Sequence, residues 1–220
     1  LPLAAHFHLK SVCDDLNEDE SAYMKDVPYC NAVGSLMYAM ISIRPDIAYV
    51  VSVVSRFMNK PSKDHWNAVK WILRYLNDTS DFCLNFTGNE FNKFSVKGYC
   101  DSDYVADLDK RRSLIGIIFT VGGNVVSWKS NLQHVVSLST TEAEYIALTE
   151  TVKEALWLKR IISELGLGDK IPQIMCDSQS AIHLSKNSAY HERTKHIDVR
   201  LHFIRDVIAS DKVKVEKIST

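Results

Sequence analysis

The chain has 220 residues, of which 46 % are hydrophobic and 24 % are charged, and its formal net charge at pH 7 is −1. This composition is typical of a globular protein with one large or two small domains, and the near-zero charge gives no overall indication of a nucleic-acid partner. No run of about 18 apolar residues is present, which excludes a membrane-spanning helix. Residues 1–10 do not resemble a signal peptide.

The five cysteines are scattered along the chain and form no Cys-x-x-Cys motif. An odd number without such spacing predicts neither a disulfide framework nor a zinc site, and it favours a reducing compartment. We therefore expect the protein to lie in the cytoplasm or the nucleus.

The first part of the chain predicts a small helical module. Residues 1–26 are acidic and lack periodicity, which predicts a loosely structured lead-in. Apolar residues then recur at helical spacing and predict three helices, at 28–43, 46–58 and 63–76. We expect residues 1–90 to form this helical segment.

Residues 91–220 predict an α/β domain. Alternating or continuous apolar runs predict strands at 93–101, 114–121, 125–128, 173–176 and 212–218, with a further short strand at 82–86. Helices are predicted at 138–165, 178–186 and 191–210. The first three strands of the domain form a hairpin-linked meander. The long helix then returns the chain, so that the fourth strand lies parallel to the first in a mixed sheet flanked by helices.

The helix predicted at 138–165 is the longest in the sequence. Ser139 is suited to cap it, and Glu142 three residues later completes the pattern of a capping box. An apolar stripe follows along Ala143, Ile146, Ala147, Ala155, Leu158, Ile162 and Leu165. Glu144 lies in the first turn close to this stripe. A purely structural interpretation is that the helix N-terminus favours the negative charge of Glu144.

A second interpretation of Glu144 comes from two aspartates. Asp101 and Asp177 end the first and fourth strands, which lie side by side, and the start of the long helix covers the same edge of the sheet. Three carboxylates gathered there repel each other unless cations lie between them. Oxygen ligands of this kind suit Mg²⁺, and a pair of such ions promotes phosphodiester hydrolysis.

Several motifs resemble a known family. GYCDSD at 98–103, SLSTTEAEYIAL at 137–148, CDSQSAI at 176–182 and RTKHIDVRLHFIRD at 193–206 closely resemble the ribonuclease H region of copia-type retrotransposon polyproteins. Upstream, AVGSLMYAM, RPDIAYVVSVVSRFM and HWNAVKWILRYL resemble the segment that joins reverse transcriptase to ribonuclease H in the same polyproteins. The resemblance covers nearly the whole chain.

This resemblance implies a ribonuclease H-like fold and metal-dependent endonucleolytic cleavage of RNA paired with DNA, which leaves 5′-phosphomonoesters. Asp101, Glu144 and Asp177 match the family's catalytic, metal-binding carboxylates. The metal is expected to be Mg²⁺, with Mn²⁺ as a substitute. Asp101 is preferred to Asp103 because it lies on the strand phase opposite Val96 and Cys100. The implied partners are the RNA–DNA hybrid and other parts of the polyprotein, without a membrane.

The resemblance also implies a fourth carboxylate, in an Ala-Asp pair that opens a final helix after the last strand, whereas this sequence ends at Ile218-Ser219-Thr220. Asp198 is a candidate replacement, and a residue of a polar helix face paired with Arg205 or Lys195 is the alternative. We therefore expect a cleavage activity that is weakened by truncation. The competing expectations are a module that binds the hybrid without cleaving it and a polyprotein fragment without function.

Each of the remaining candidate residues also has a purely structural interpretation. Arg111 and Arg112 follow the first strand, and Lys195 and Arg200 lie in the basic C-terminal part; all four are candidates for binding nucleic acid, or simply solvated. Residues expected to pack or to face solvent, rather than to bind metal or bases, are His191, His196, His202, Trp66 and Trp71.

Overall fold

A computed structural model describes residues 1–4, 6–12, 17–88, 94–186 and 198–218, and for residues 198–201 it describes the backbone alone. The chain divides into two compact units, Leu1–Leu84 and Asn85–Thr220. The expected domain boundary after residue 90 falls in residues 89–93, which lie outside the described residues. Within the described ranges, no helix combines the length and hydropathy that crossing a membrane requires.

The first unit is helical, as expected. Its helices are α1 Glu18–Lys25, α2 Tyr29–Ser42, α3 Ala48–Val54 and α4 Lys63–Asp78, with single 3₁₀ turns on both sides of α3. The expectation of a loose lead-in is wrong for α1. The side chain of Asn17 caps this helix by accepting the backbone N–H of Glu20 at 2.7 Å. Acidic residues fill the first turn, where the helix dipole favours negative charge.

The core of the first unit includes the buried residues Val33, Leu36, Val51, Val69 and Ile72. Trp66 is half-buried against this core. The indole N–H of Trp71 donates to the carbonyl oxygen of Leu1 at 3.2 Å, and its ring meets Phe7 edge-on. Both tryptophans thus contact protein groups of this unit.

The second unit contains all the strands that the structure describes. They are β1 Val96–Asp103, β2 Leu114–Val121, β3 Asn124–Leu132, β4 Gln173–Cys176 and β5 Lys214–Lys217. The helices are α5 Thr140–Glu164, α6 Gln179–Lys186 and α7 Asp198–Ala209. The strand predicted at 82–86 is wrong. Phe82 and Phe86 are 56 % and 63 % exposed, so this stretch has no buried apolar face to hold it in a sheet.

The strands form one mixed sheet in the order β3-β2-β1-β4-β5. β2 is antiparallel to β1 and to β3, whereas β4 is parallel to β1 and β5 is parallel to β4. The predicted meander with a parallel fourth strand is therefore confirmed, and the unit has the α/β, ribonuclease H-like fold. This topology puts β1 at the centre of the sheet, directly beside β4.

One face of the sheet packs against α5. Tyr145, Leu148 and Val152 from the helix and Phe119 from β2 are fully buried in this core. Of the predicted stripe, only Leu165 is solvent-exposed, at 66 %, since it ends the helix. Along β1 the pleat buries Val96, Gly98 and Cys100 and leaves Asp101 and Asp103 exposed. The alternation turns Asp101 away from the apolar core, as predicted, but Asp103 shares this phase, so the strand phase does not distinguish the two aspartates as expected.

The pleat also presses β1 closely against β2. A Cβ atom added at Gly98 would lie 2.4 Å from Cε1 of Phe119, whose ring is fully buried and cannot move aside. We therefore expect Gly98→Ala to lower the free energy of unfolding by about 1–3 kcal/mol, the usual cost of overpacking. The measurement is urea denaturation followed by circular dichroism.

Gly116→Ala is the matched control, because the nearest heavy atom to its added Cβ is the backbone oxygen of Asp101, at 3.9 Å. This variant should be as stable as the parent or slightly more stable, since alanine loses less backbone entropy than glycine in a strand. Equal stability of the two variants would show that the contact between Gly98 and Phe119 does not constrain the sheet.

Candidate functional site

The parallel pairing of β1 and β4 brings two aspartates to the same edge of the sheet. Cys100 and Cys176 are register partners in the two strands. Asp101 and Asp177 directly follow these two cysteines in the sequence. Because the strands run parallel, both aspartates leave the sheet at its C-terminal edge, where ligands commonly bind in α/β folds.

The start of α5 is built so that Glu142 and Glu144 have different tasks. The hydroxyl of Ser139 accepts the backbone N–H of Glu142 at 3.1 Å, and the carboxylate of Glu142 accepts the backbone N–H of Leu138 at 2.7 Å. Ser139 therefore caps the helix as predicted, and Glu142 bonds the backbone of Leu138, the residue before the cap. Glu144 makes no such capping bond and lies towards β1 instead.

The carboxylate of Glu144 is attached to the end of β1. It accepts the backbone N–H of Ser102, the residue that follows Asp101. Ligand atoms of Glu144, Cys176 and Asp177 all lie within 4.8 Å of one another. The structure therefore brings Glu144 and Asp177 together, while Asp101 lies outside this cluster, near enough for its charge to raise the pKa of Glu144.

The pKa of Glu144 reflects this crowding. Burial, followed by repulsion from Asp101, Cys176 and Asp177, raises the pKa of Glu144 from its usual 4.5 to about 8, against the opposing effect of the Ser102 N–H. A carboxyl group in such surroundings holds a proton at neutral pH unless another positive charge replaces it.

One oxygen of Glu144 is left without a partner. Its Oε2 atom is buried and has no hydrogen-bond donor among the described residues. A buried, unsatisfied acceptor is costly, and here it lies beside two further carboxylates. The carboxylates of Glu144 and Asp177 are hard oxygen donors that suit a divalent cation such as Mg²⁺ or Mn²⁺, and the third group of the cluster is the thiol of Cys176.

Two buried cysteines, which were not predicted as site residues from the sequence, lie directly behind the carboxylates. The hydrogen bond between the thiols of Cys100 and Cys176 holds the pKa of Cys176 below its usual range and raises that of Cys100. A signal was available, because the tripeptide Cys-Asp-Ser occurs twice, at 100–102 within β1 and at 176–178, where it begins with the last residue of β4. The repeat marks two strands that present the same pattern at the same edge.

Two of the predicted basic residues lie in a loop at the same edge of the sheet. Arg111 is exposed and Arg112 half-buried, in the loop between β1 and β2. The loop is ordered by the carboxylate of Asp107, which accepts the backbone N–H groups of Asp109 and Lys110 at 3.1 and 3.3 Å. Because β1 and β2 are adjacent, this loop projects from the edge that carries Asp101.

The other candidates lie on or before α7. Lys195, His191 and His196 lie outside the described residues. Asp198 and Arg200 belong to the first turn of α7, where only the backbone is described. His202 is exposed on the same helix. Asp198 as a fourth carboxylate therefore stays a prediction.

Comparisons with known proteins identify long polyproteins as relatives. The chain is 56 % identical over 219 residues to the retrovirus-related Pol polyprotein from transposon TNT 1-94 of Nicotiana tabacum, covering all of this chain and 16 % of the polyprotein. It is 38 % identical over 193 residues to the Pol polyprotein from transposon RE2 of Arabidopsis thaliana, covering 87 % of this chain and 13 % of that protein. The chain thus spans less than a fifth of either polyprotein.

A shorter relative is also found. The secreted RxLR effector protein 161 of Plasmopara viticola is 47 % identical over 135 residues, which are 61 % of this chain and 94 % of that protein. Among solved structures, the chain is similar to LC11-RNase H1 isolated from compost, with a TM-score of 0.43 and 16 % identity over 57 % of this chain and 84 % of that one. No protein-family model matches the chain.

The raised pKa of Glu144 has a consequence for stability without metal. A carboxyl group whose pKa rises on folding makes the folded state less stable as the pH rises from the unfolded value, 4.5, to the folded value, about 8. Glu144→Gln removes this penalty. We expect the variant to gain stability over the parent as the pH rises from about 5 to about 9, reaching about 1 kcal/mol. The measurement is thermal denaturation in EDTA.

Glu164→Gln is the control, since Glu164 is an exposed residue of the same helix that pairs with Arg160. Its stability relative to the parent should vary little over the same pH range. A Glu144→Gln variant that is no more stable than the parent at the alkaline end would mean that Glu144 is neither crowded nor repelled.

Proposed function

The chain belongs to the retrovirus-related Pol polyproteins of copia-type transposons, and we propose that its second unit is a ribonuclease H that hydrolyses the RNA strand of an RNA–DNA hybrid. The observation that carries the proposal is the buried, unpartnered Oε2 of Glu144 among the carboxylates of the sheet edge. This arrangement suits a divalent cation and explains why the sequence tolerates three mutually repelling groups.

In this proposal Asp101, Glu144 and Asp177 hold Mg²⁺, and Mn²⁺ can replace it because the donors are oxygens. When bound, the metal supplies the charge that activates a water molecule and stabilises the leaving oxygen. The backbone N–H of Ser102 orients the carboxylate of Glu144. Loss of the proton from Glu144 would leave Oε2, the oxygen without a donor among the described residues, able to act as a ligand.

The reaction follows from these roles. The oxygen of water attacks the phosphorus atom of the RNA backbone, the bond from phosphorus to the 3′ oxygen breaks, and the departing 3′ oxygen takes a proton. The products carry a 5′-phosphomonoester and a 3′-hydroxyl. Selection of RNA over DNA requires contacts to the 2′-hydroxyl, the group that only RNA has.

The rate is expected to depend on each carboxylate of the site. Removal of one electrostatic element of a catalytic site typically costs about 10²–10³ in rate. A module that binds the hybrid without cleaving it is the second candidate. The secreted RxLR effector protein 161, 94 % of whose length corresponds to this region, shows that the region also occurs outside long polyproteins.

The nucleic acid is expected to lie along the edge that carries the loop between β1 and β2. Arg111 and Arg112 are proposed to bind backbone phosphates, since guanidinium groups suit phosphate oxygens. Lys195 and Arg200 are proposed to add further phosphate contacts. Other parts of the polyprotein are proposed as protein partners.

Cleavage of a labelled RNA–DNA hybrid in Mg²⁺ tests the site. We expect Asp101→Asn, Glu144→Gln and Asp177→Asn each to lower the rate by about 10² or more, because each removes charge from the metal site. The assay separates products on a denaturing gel and checks for 5′-phosphate ends. EDTA should abolish the cleavage.

Asp103→Asn and Asp198→Asn are the controls, and both should retain the activity of the parent. If Asp198→Asn abolishes the activity, Asp198 is the fourth carboxylate and the expectation of a three-carboxylate site is wrong. Hybrid binding without cleavage by the parent protein would favour the binding module. Cleavage at the parent rate by Asp101→Asn, Glu144→Gln and Asp177→Asn would refute the proposed site.

The salt dependence of hybrid binding tests the role of the arginines. Affinity in EDTA should fall as salt rises, with a slope of about −0.9 for each phosphate contact. Arg112→Ala should reduce this slope by about 1, measured by fluorescence anisotropy over a salt series. Arg160→Ala is the control, because Arg160 pairs with Glu164 at the opposite end of α5 from Glu144. The same slope for all three proteins would exclude Arg112 from the binding surface.

A further inference from the structure

Gln133 is a polar residue buried beneath the carboxylate site. It follows β3 directly, and only 1 % of its surface is exposed. We propose that Gln133 is a positioning residue that fixes the end of β1 against the start of α5 and so sets the separation of the carboxylates of Asp101 and Glu144. The inference rests on the proposed metal-dependent function.

The side chain of Gln133 makes hydrogen bonds to three different segments. Its Nε2 atom donates to the hydroxyl of Ser102 at 3.3 Å and to the carbonyl oxygen of Ala143 at 2.9 Å. Its Oε1 atom accepts the hydroxyl of Ser137 at 2.5 Å. These partners belong to β1, to α5 and to the segment between β3 and α5.

The partners are the immediate neighbours of the candidate ligands. Ser102 follows Asp101, and its backbone N–H donates to the carboxylate of Glu144. Ala143 precedes Glu144 in α5. One amide group therefore holds the two residues adjacent to the carboxylates from the protein interior.

Two further bonds keep this amide group in place. The backbone N–H of Gln133 donates to the carbonyl oxygen of Ser113 at 2.8 Å. The hydroxyl of Ser102 donates its own proton to the carbonyl oxygen of Leu114 at 3.1 Å, which leaves its oxygen free to accept from Gln133. Gln133 is thus tied to the end of the loop that carries Arg111 and Arg112.

A buried, hydrogen-bonded glutamine contributes to stability in any protein, so a loss of stability alone does not identify a positioning role. Positioning has a further consequence for ligand binding. Groups that orient metal ligands typically contribute about 10–100-fold to metal affinity, because a cation binds its ligands only within a narrow range of distances.

Gln133→Met tests the inference, since methionine has a similar length and fills the site without the three hydrogen bonds. We expect Mn²⁺ affinity, measured from the electron paramagnetic resonance signal of free Mn²⁺, to fall by about 10–100-fold. Hydrogen exchange of the Ser102 amide in the metal-free protein should become faster than in the parent, relative to the Tyr99 amide of the same strand.

Thr149→Val is the matched control. Thr149 is a buried residue of the same helix, 1 % exposed, whose hydroxyl bonds only its own helix, at the carbonyl oxygen of Tyr145. Loss of this bond should leave both the Mn²⁺ affinity and the exchange of Ser102 at the parent values. If Gln133→Met does not fold, Ser137→Ala replaces it, and a smaller change of both readouts in the same direction is expected.

The outcomes separate this inference from the proposed function. A parent protein that binds no Mn²⁺ overturns the proposed metal site, and the exchange of Ser102 then decides the role of Gln133 by itself. A parent that binds Mn²⁺ while the tested variant keeps the parent affinity overturns the positioning role alone. Unchanged exchange at Ser102 in the variant also overturns it.

Discussion

The attachment of Glu144 to the end of β1 is the interaction on which the candidate site depends. The backbone N–H of Ser102 donates to this carboxyl group and favours its ionised form. Burial and the charges of Asp101 and Asp177 disfavour that form. One of its oxygens has no donor among the described groups. Folding therefore places a carboxyl group where the protein alone does not stabilise its ionised form, as is common in functional sites.

Three local features of the fold produce this arrangement. Parallel pairing of β1 with β4 aligns Asp101 with Asp177 at one edge. The cap formed by Ser139 and Glu142 fixes where α5 begins, and hence where Glu144 lies. The close contact of Gly98 with Phe119 lets β1 approach the apolar core while its alternate residues face outwards. Stability in the core offsets the repulsion at the edge.

Much of this was predictable from the sequence because it depends on local periodicity. The long helix, its capping residues and the strands of the meander follow from apolar spacing and turn residues. The proximity of Glu144 and Asp177 also followed from their positions in the first helical turn and after a predicted strand, whereas the role of Asp101, Glu144 and Asp177 as catalytic ligands stays a prediction. Helix α1 was missed because its signal is the cap Asn17 and an acidic first turn, in a segment without an apolar stripe.

The support of the site was not predictable, because it depends on contacts between segments distant in sequence. Gln133 lies in a polar stretch with no periodic pattern, and only the folded chain shows that it bonds β1 and α5 at once. Residues 82–86 alternate like a strand, but a strand also needs a partner and a buried face. Local patterns do not contain that information.

The most direct test of the account is a crystal structure of the protein soaked in Mn²⁺, with anomalous scattering measured at the manganese edge. The account predicts an anomalous peak within coordination distance, about 2–2.3 Å, of Oε2 of Glu144, with carboxylate oxygens of Asp101 and Asp177 completing the ligand set. Absence of a peak at this edge, with Glu144 bonded to other protein groups, would contradict it.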